Sequence, residues 1–429
     1  MPRTRPHPAW LVAATAFVAL VGAAGFRAAP GALFVPLHQE FGWSTTSMSL
    51  AVSVNLVLYG LTAPFAAALM DRFGIRSVTS VALSLVALGS GLTVFMTASW
   101  QLLATWGLLI GLGTGSMAMV FAATVANRWF VRRRGLVMGV LTAGGATGQL
   151  VFLPVVAALA DSAGWRVASL VIAGAALAVV PLVIAFLGNH PEDRGLTPYG
   201  AGAGWVPPVR QTGGSARRAL GTLRWASHSP AFWALAAAFA ICGATTNGLV
   251  GIHFIPSAHD HGMPETTAAG LLAVVGIFDI VGTIASGWFT DRYDPRLLLV
   301  AYYGFRGVGL VLLPVLLSAT IRPSIVLFVV VYGLDWVATV PPTVALCREL
   351  FGDRGTIVFG WVFASHQLGA AGAALGAGVV RDQTGSYTLA WLGGAALCGI
   401  GALLSWVLGS SARRRSRREA ATPVVPAQM

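Results

Sequence analysis

The sequence predicts an all-α membrane protein with twelve transmembrane helices in two six-helix pseudo-symmetric halves. Composition, the number of apolar runs and a repeat at one fixed offset predict it. Of 429 residues, 56% are hydrophobic and 10% charged, and mean hydropathy is +0.75. A soluble domain carries about 25% charged residues. A soluble enzyme and a disordered scaffold are excluded. So is an outer-membrane barrel, whose strands alternate in polarity over about 10 residues.

From the N-terminus, apolar runs near the roughly 20 residues that cross a hydrocarbon core occupy 10–35, 46–70, 77–97, 101–125, 135–159 and 167–188. The first is too long for the apolar core of a secretory signal, roughly 7 to 15 residues, and reads as a retained helix. Pro191, Pro198, Pro207, Pro208 and several glycines then mark a linker. Six further runs cover 231–255, 266–289, 297–319, 324–347, 356–379 and 388–409. The expected units are an N-terminal six-helix half (1–188), a cytoplasmic linker (189–229), a C-terminal six-helix half (230–410) and a basic cytoplasmic tail (411–429).

All 27 basic residues are arginine. The absence of lysine argues against a phosphate-loop ATPase and against Schiff-base chemistry with retinal or pyridoxal. With both termini in the cytoplasm, 22 arginines fall inside, Arg166, Arg322 and Arg381 fall outside, and Arg27 and Arg306 lie within the membrane, as the positive-inside rule requires. The net charge of +12 thus reads as topology in a plasma-membrane protein, and Arg413 to Arg418 as a solvated, lipid-facing anchor; no nucleic-acid partner is expected. Cys242, Cys347 and Cys398 sit in or beside apolar runs and form no disulfide framework or CxxC pair. His259-Asp260-His261 reads as a solvated loop, so no metal or cofactor is expected.

Asp71-Arg72 with Arg76 recurs as Asp291-Arg292 with Arg296, an offset of 220. Arg128, Arg134 and Gly135 recur as Arg348, Arg354 and Gly355, and Phe34, Pro36 and Gly42 as Phe254, Pro256 and Gly262, at the same offset. Matches in three different loops at one offset indicate duplication. Two parallel six-helix repeats place a solute site between them near the membrane midplane. Asp71, Arg72, Arg76, Asp291, Arg292 and Arg296 read either as clamps that hold neighbouring helices in one state, a gating or structural role, or as ordinary positive-inside loops.

With these residues the chain resembles the major facilitator superfamily, whose loop signature between the second and third helices stands here as Leu69-x-Asp71-Arg72-x-Gly74-x-Arg76, with Ala67 in place of the leading glycine. More narrowly it resembles the bacterial monocarboxylate carrier and oxalate/formate antiporter-like branch. The residues that carry this likeness are Gly25-Phe26-Arg27, Glu40 to Ser44, Arg128-Trp129-Phe130, Arg133-Arg134-Gly135, Pro191 to Gly200, Gly287-Trp288 with Asp291-Arg292-Tyr293, and Thr384 to Tyr387. The resemblance implies the major facilitator fold and secondary transport. Asp279 looks like the eighth-helix aspartate of the animal monocarboxylate carriers, with Thr283 where those carry an arginine. The fifth helix, glycine-rich from Gly135 to Gly148, lacks the glycine-proline motif of the drug/proton antiporters.

An ionisable group at the bilayer centre costs at least about 2.5 to 3.5 kcal/mol on insertion scales, so each one asks for a role. Helices one and seven line the central cavity in the superfamily the chain resembles. Arg27 precedes Pro30-Gly31 on the first, with Asn247 as its repeat partner on the seventh. A guanidinium is always charged and offers a fork to a carboxylate, so Arg27 is the expected anchor for an anion; the other reading is a structural ion pair. Asp279, the repeat partner of Tyr59, is either a proton carrier or a hydrogen-bonded helix contact. Arg306 and Asp335 lie on consecutive antiparallel spans at similar depth and read as a structural or gating salt bridge. His366 and Gln367 on the eleventh span either bind solute or pack. Gly111, Gly113 and Gly115 read as close helix packing, because no strand precedes them.

The expected activity is alternating-access transport of a small, monocarboxylate-like organic anion, bound by Arg27, Asn247, Tyr59, Gln367 and His366 and coupled to a proton through Asp279 or to an exchanged anion. The expected unit is a monomer in the lipid bilayer. A proton-driven exporter of a neutral or cationic compound and a non-transporting sensor are the alternatives, and no nucleophile-base pair points to an enzyme.

Overall fold

The computed structural model describes residues 7–117, 119–202, 205–206 and 214–421, with the side chains of 27, 28, 119, 146, 215 and 409–421 outside that description. The N-terminal half comprises α1 (Pro8–Phe41), α2 (Thr45–Phe73), α3 (Ile75–Thr93), α4 (Trp100–Trp129), α5 (Arg134–Ser162) and α6 (Trp165–Phe186). A short helix, α7 (Ser215–Ala226), precedes the second half: α8 (Pro230–Asp260), α9 (Glu265–Thr290), α10 (Pro295–Leu316), α11 (Pro323–Asp335), α12 (Val340–Phe351), α13 (Gly355–Thr384) and α14 (Thr388–Ala421). No strand occurs among the described residues; Phe130 and Tyr199 form one isolated bridge.

Eleven described stretches are long and apolar enough to cross a membrane, and one of them, Pro323–Thr384, has 62 residues. At 1.5 Å per residue it would run about 90 Å, three times a hydrocarbon core. It turns back at Gly352–Arg354 and crosses twice, once as α11–α12 and once as α13, which gives twelve crossings.

Helix ends follow local chemistry. Ser44 Oγ accepts the Ser47 N–H at the start of α2, and Gly42, left-handed at φ +65°, ends α1. Gly74 turns α2 into α3 at φ +83°, and a Cβ there would meet Asn189 Nδ2 at 2.6 Å. The same Asn189 accepts the Arg76 N–H through its Oδ1 at 2.9 Å. One small residue thus lets the inter-helix loop and the end of the half close on each other.

Small residues set the spacing inside the N-terminal half. A Cβ on Gly113 would lie 2.6 Å from Ala82 O of α3, and those on Gly111 and Gly115 would lie 3.0 and 2.9 Å from the Cα atoms of Asn55 and Tyr59 of α2. α4 is therefore wedged between α2 and α3 at backbone distance, as expected for close packing without a hydrophobic drive between helices. Gly113→Val should overpack this contact and cost about 1–3 kcal/mol, measured as a lower melting temperature in detergent.

The halves meet along α2 and α13. Ser53 Oγ donates to Ala371 O at 2.8 Å, a Cβ on Gly60 would meet Gln367 Cβ at 2.6 Å, and the Phe65 and Trp361 rings stand edge to face at 6.1 Å. α5 packs on α9 as the second such seam.

Candidate functional site

A cavity with about 580 Å³ of empty space, partly open to solvent, lies between the halves. Phe26 and Pro30 of α1, Asn55 and Tyr59 of α2, Gln149 of α5, Asn247 of α8, and Trp336 line it. Its polar groups come from both halves on otherwise apolar walls, the usual make-up of a small-molecule site. In α8, residues Ala244–Val250 are wound as a π-helix. Such widened turns shift side-chain register and recur at functional sites; this one carries Asn247. Asn55 is held by its own donation to Trp106 O at 2.7 Å. A second space, about 510 Å³, lies within the N-terminal half beside Leu20, Ala23, Ala24 and Tyr59. Tyr59 borders both cavities.

The side chain of Arg27 lies outside the described residues. Its backbone is helical, and by register it shares a face with Leu20, Ala23, Ala24 and Pro30, at −7, −4, −3 and +3. Leu20, Ala23 and Ala24 border the space within the N-terminal half, and Pro30 borders the central cavity. Among the other expected solute ligands, Tyr59 and Asn247 line the central cavity. Gln367 and His366 do not. Gln367 is 1% exposed, packed against Gly60 in the α2–α13 seam, and His366 lies between the rings of Phe239 at 4.8 Å and Phe363 at 5.8 Å. Depth in a helix does not fix which side a residue faces, and the face these two occupy is the packed one.

Arg306 and Asp335 meet at 2.7 Å, fully buried, beside a gap in the tenth crossing. Pro341 and Pro342 begin α12 and cannot donate to Val337 O and Ala338 O, so the helix opens between Asp335 and Val340. Three side chains take up freed backbone groups. Arg306 donates to Asp335 O at 2.8 Å and Trp336 O at 3.4 Å, Asp279 Oδ1 accepts the Val337 N–H at 3.1 Å, and Ser286 Oγ donates to Ala338 O at 2.5 Å. Arg306 also reaches Cys242 Sγ at 3.1 Å and Thr245 Oγ1 at 3.4 Å on α8. Asp279 accepts from Thr283 Oγ1 at 3.2 Å. The three charged residues therefore hold an interrupted helix whose Trp336 forms part of the cavity wall.

The loop charges bind helices within each half. Asp71 pairs with Arg128 at 2.6 Å, Arg76 Nε donates to Leu187 O at 2.8 Å, and Arg72 lies over the Phe73 ring. In the second half Arg296 pairs with Glu349 at 2.6 Å and Asp294 at 3.3 Å, and Arg292 lies 3.9 Å over the Trp288 ring. Asp291 forms no ion pair with Arg348 among the described residues, so the repeat is imperfect here. None of these ion pairs joins the two halves.

At the face opposite the chain termini the halves are tied directly. The Asp382 carboxylate, at the end of α13, accepts the backbone N–H groups of Thr45 at 3.1 Å and Thr46 at 2.8 Å at the start of α2. Phe34 of α1 stands edge to face with His253 of α8 at 6.0 Å, and a Cβ on Gly31 would touch Ile252 O at 3.2 Å.

The sequence profile described as Major Facilitator Superfamily matches residues 15–374. The chain belongs to this superfamily. Relatives of this major facilitator protein include rat Monocarboxylate transporter 13, 29% identical over 405 residues and covering 92% of this chain and 88% of that one. Human Monocarboxylate transporter 11 is 27% identical, covering 89% and 79%. The uncharacterized MFS-type transporter YcxA of Bacillus subtilis is 25% identical, covering 90% and 92%. In fold, the major facilitator chain matches the crystal structure of a bacterial homolog of the human lysosomal transporter Spinster, with a TM-score of 0.69, 13% identity, and coverage of 95% and 98%. It is a multi-pass membrane transporter.

Asn55, Gln149 and Trp336 line the cavity but escape a reading that starts from ionisable residues and takes in only their repeat partners and neighbours. Neutral amides at mid-span depth were the available signal for the first two.

Proposed function

We propose that the protein carries a small, monocarboxylate-like organic anion across the plasma membrane by alternating access, with both termini in the cytoplasm. The observation that carries this reading is the central cavity, lined by amides and a phenol from both halves, with Arg27 in the α1 turn between two of its lining residues, Phe26 and Pro30. Similarity along most of the chain to proteins named monocarboxylate transporters supports the substrate class. The tie at the face opposite the termini closes the outer side, and alternating access then needs Asp382 to release the α2 amides as the inner side closes.

Moving a monoanion inward against an inside-negative potential costs about 2.3 kcal/mol per 100 mV. Uptake therefore needs a co-transported proton or an exchanged anion. Asp279 is the proposed proton carrier, because it combines an intramembrane carboxyl with contact to the interrupted helix at the cavity wall. Reconstituted in liposomes with labelled mono- and dicarboxylates, the protein should accumulate a monocarboxylate under an inward proton gradient. No anion flux with or without the gradient would overturn the reading in favour of export of an unrelated compound. Asp279→Asn keeps an acceptor for Val337 but cannot ionise; gradient-driven uptake should fall at least about tenfold while anion exchange survives. Unchanged gradient-driven uptake would remove Asp279 from the coupling.

A further inference from the structure

Between Asp193 and Asp260 the chain has no acidic residue, yet α7 carries Arg217, Arg218 and Arg224. All three are exposed, and none is in an ion pair among the described residues. The helix is two-sided. Ala219, Thr222 and Ala226 are buried, one stripe at i, i+3 and i+7. On the open side Arg217 and Arg224 flank Leu220, 51% exposed, and Trp225, 46% exposed, lies along the edge with Arg218.

The buried stripe is firmly seated. Trp361 Nε1 of α13 donates to Ala219 O at 2.9 Å, the Trp225 ring meets Phe351 of α12 edge-on at 5.9 Å, and the Arg354 guanidinium lies 4.7 Å over the same indole. α7 also packs on α2 of the other half. A short connection to α8 fixes its height: only Ser227, His228 and Ser229 lie between the two helices, a span of about 10 Å. Trp233 in the first turn of α8, 59% exposed, donates to Ser227 O at 2.8 Å, an indole placed as at a membrane–water boundary.

We propose that α7 is a docking surface for anionic phospholipid, its three arginines taking the headgroup phosphates while Leu220 and Trp225 enter the acyl boundary. Unpaired cations beside exposed apolar side chains at headgroup depth suit a negatively charged leaflet. Because α7 touches both halves, bound lipid would steady them against each other at this face. The inference uses the membrane-spanning fold and is independent of the substrate.

The full-length protein, purified in neutral detergent, is titrated with phosphatidylglycerol or phosphatidylcholine and its lipid adducts are counted by native mass spectrometry. Arg217→Gln/Arg218→Gln/Arg224→Gln should weaken phosphatidylglycerol binding at least about tenfold, since each surface arginine contributes roughly fivefold, and leave phosphatidylcholine binding unchanged. The corresponding lysine triple should bind as wild type does, because the attraction is to charge. Arg224→Gln alone should lose roughly fivefold, so a triple that fails to fold does not end the test. Equal phosphatidylglycerol affinity in wild type and Gln variants would overturn the proposal. So would displacement of the lipid by inorganic phosphate, which would make this a soluble-anion site.

Discussion

Arg306→Leu is expected to cost about 3–5 kcal/mol of stability, the penalty for leaving one member of a buried ion pair without its partner. Asp335, 5% exposed, would keep a carboxylate with no cation beside it, the Trp336 carbonyl would lose its donor, and the Asp335 carbonyl would keep only the Ala338 N–H at 3.3 Å. The double variant Arg306→Leu/Asp335→Leu removes both charges and should recover most of the loss. It should still fall short of wild type by about 1–3 kcal/mol, because the Trp336 carbonyl at the break is left without its donor. Denaturation in detergent gives the stabilities, and hydrogen exchange of amides 336–340 reports on the break. A single variant as stable as wild type would show that the pair does not hold the break.

Arg27→Ala is expected to abolish anion uptake without lowering the melting temperature. The polar groups that line the central cavity, Asn55, Tyr59, Gln149 and Asn247, are neutral, and a hydrogen bond to a charged group is worth about 1.5–3 kcal/mol. Losing a two-pronged contact from a guanidinium should therefore weaken anion binding at least about a hundredfold. Arg27→Lys keeps the charge and loses the planar fork, so it should retain part of the uptake with a raised KM. Uptake by the alanine variant within about twofold of wild type would rule Arg27 out as the anchor.

The twelve crossings were legible because a span needs only length and apolarity, and both survive in composition. The break in the tenth was not: residues 324–347 read as one run, since a hydropathy window is blind to missing N–H groups. Pro341-Pro342 was the signal, and it marks the preceding turn as unable to complete its ladder. The helix α7 was hidden for the opposite reason. Its neighbourhood is rich in proline and glycine, and only the small-residue stripe Ala219, Thr222 and Ala226 set among arginines marks it. Equal depth predicts that Arg306 and Asp335 meet, and they do. Depth alone could not orient His366 and Gln367, whose neighbours decide the face.

The Asp382 tie joins a carboxylate to two peptide N–H groups, with the Thr45 and Thr46 side chains also hydrogen-bonded to it, so only part of its receiving end is independent of which residues stand there. Across relatives, an acidic residue at 382 would be coupled only loosely to the hydroxyl residues at 45 and 46, because the peptide N–H groups are there whatever side chains those positions carry. Contact inference from paired substitutions would therefore register this junction between the halves only weakly.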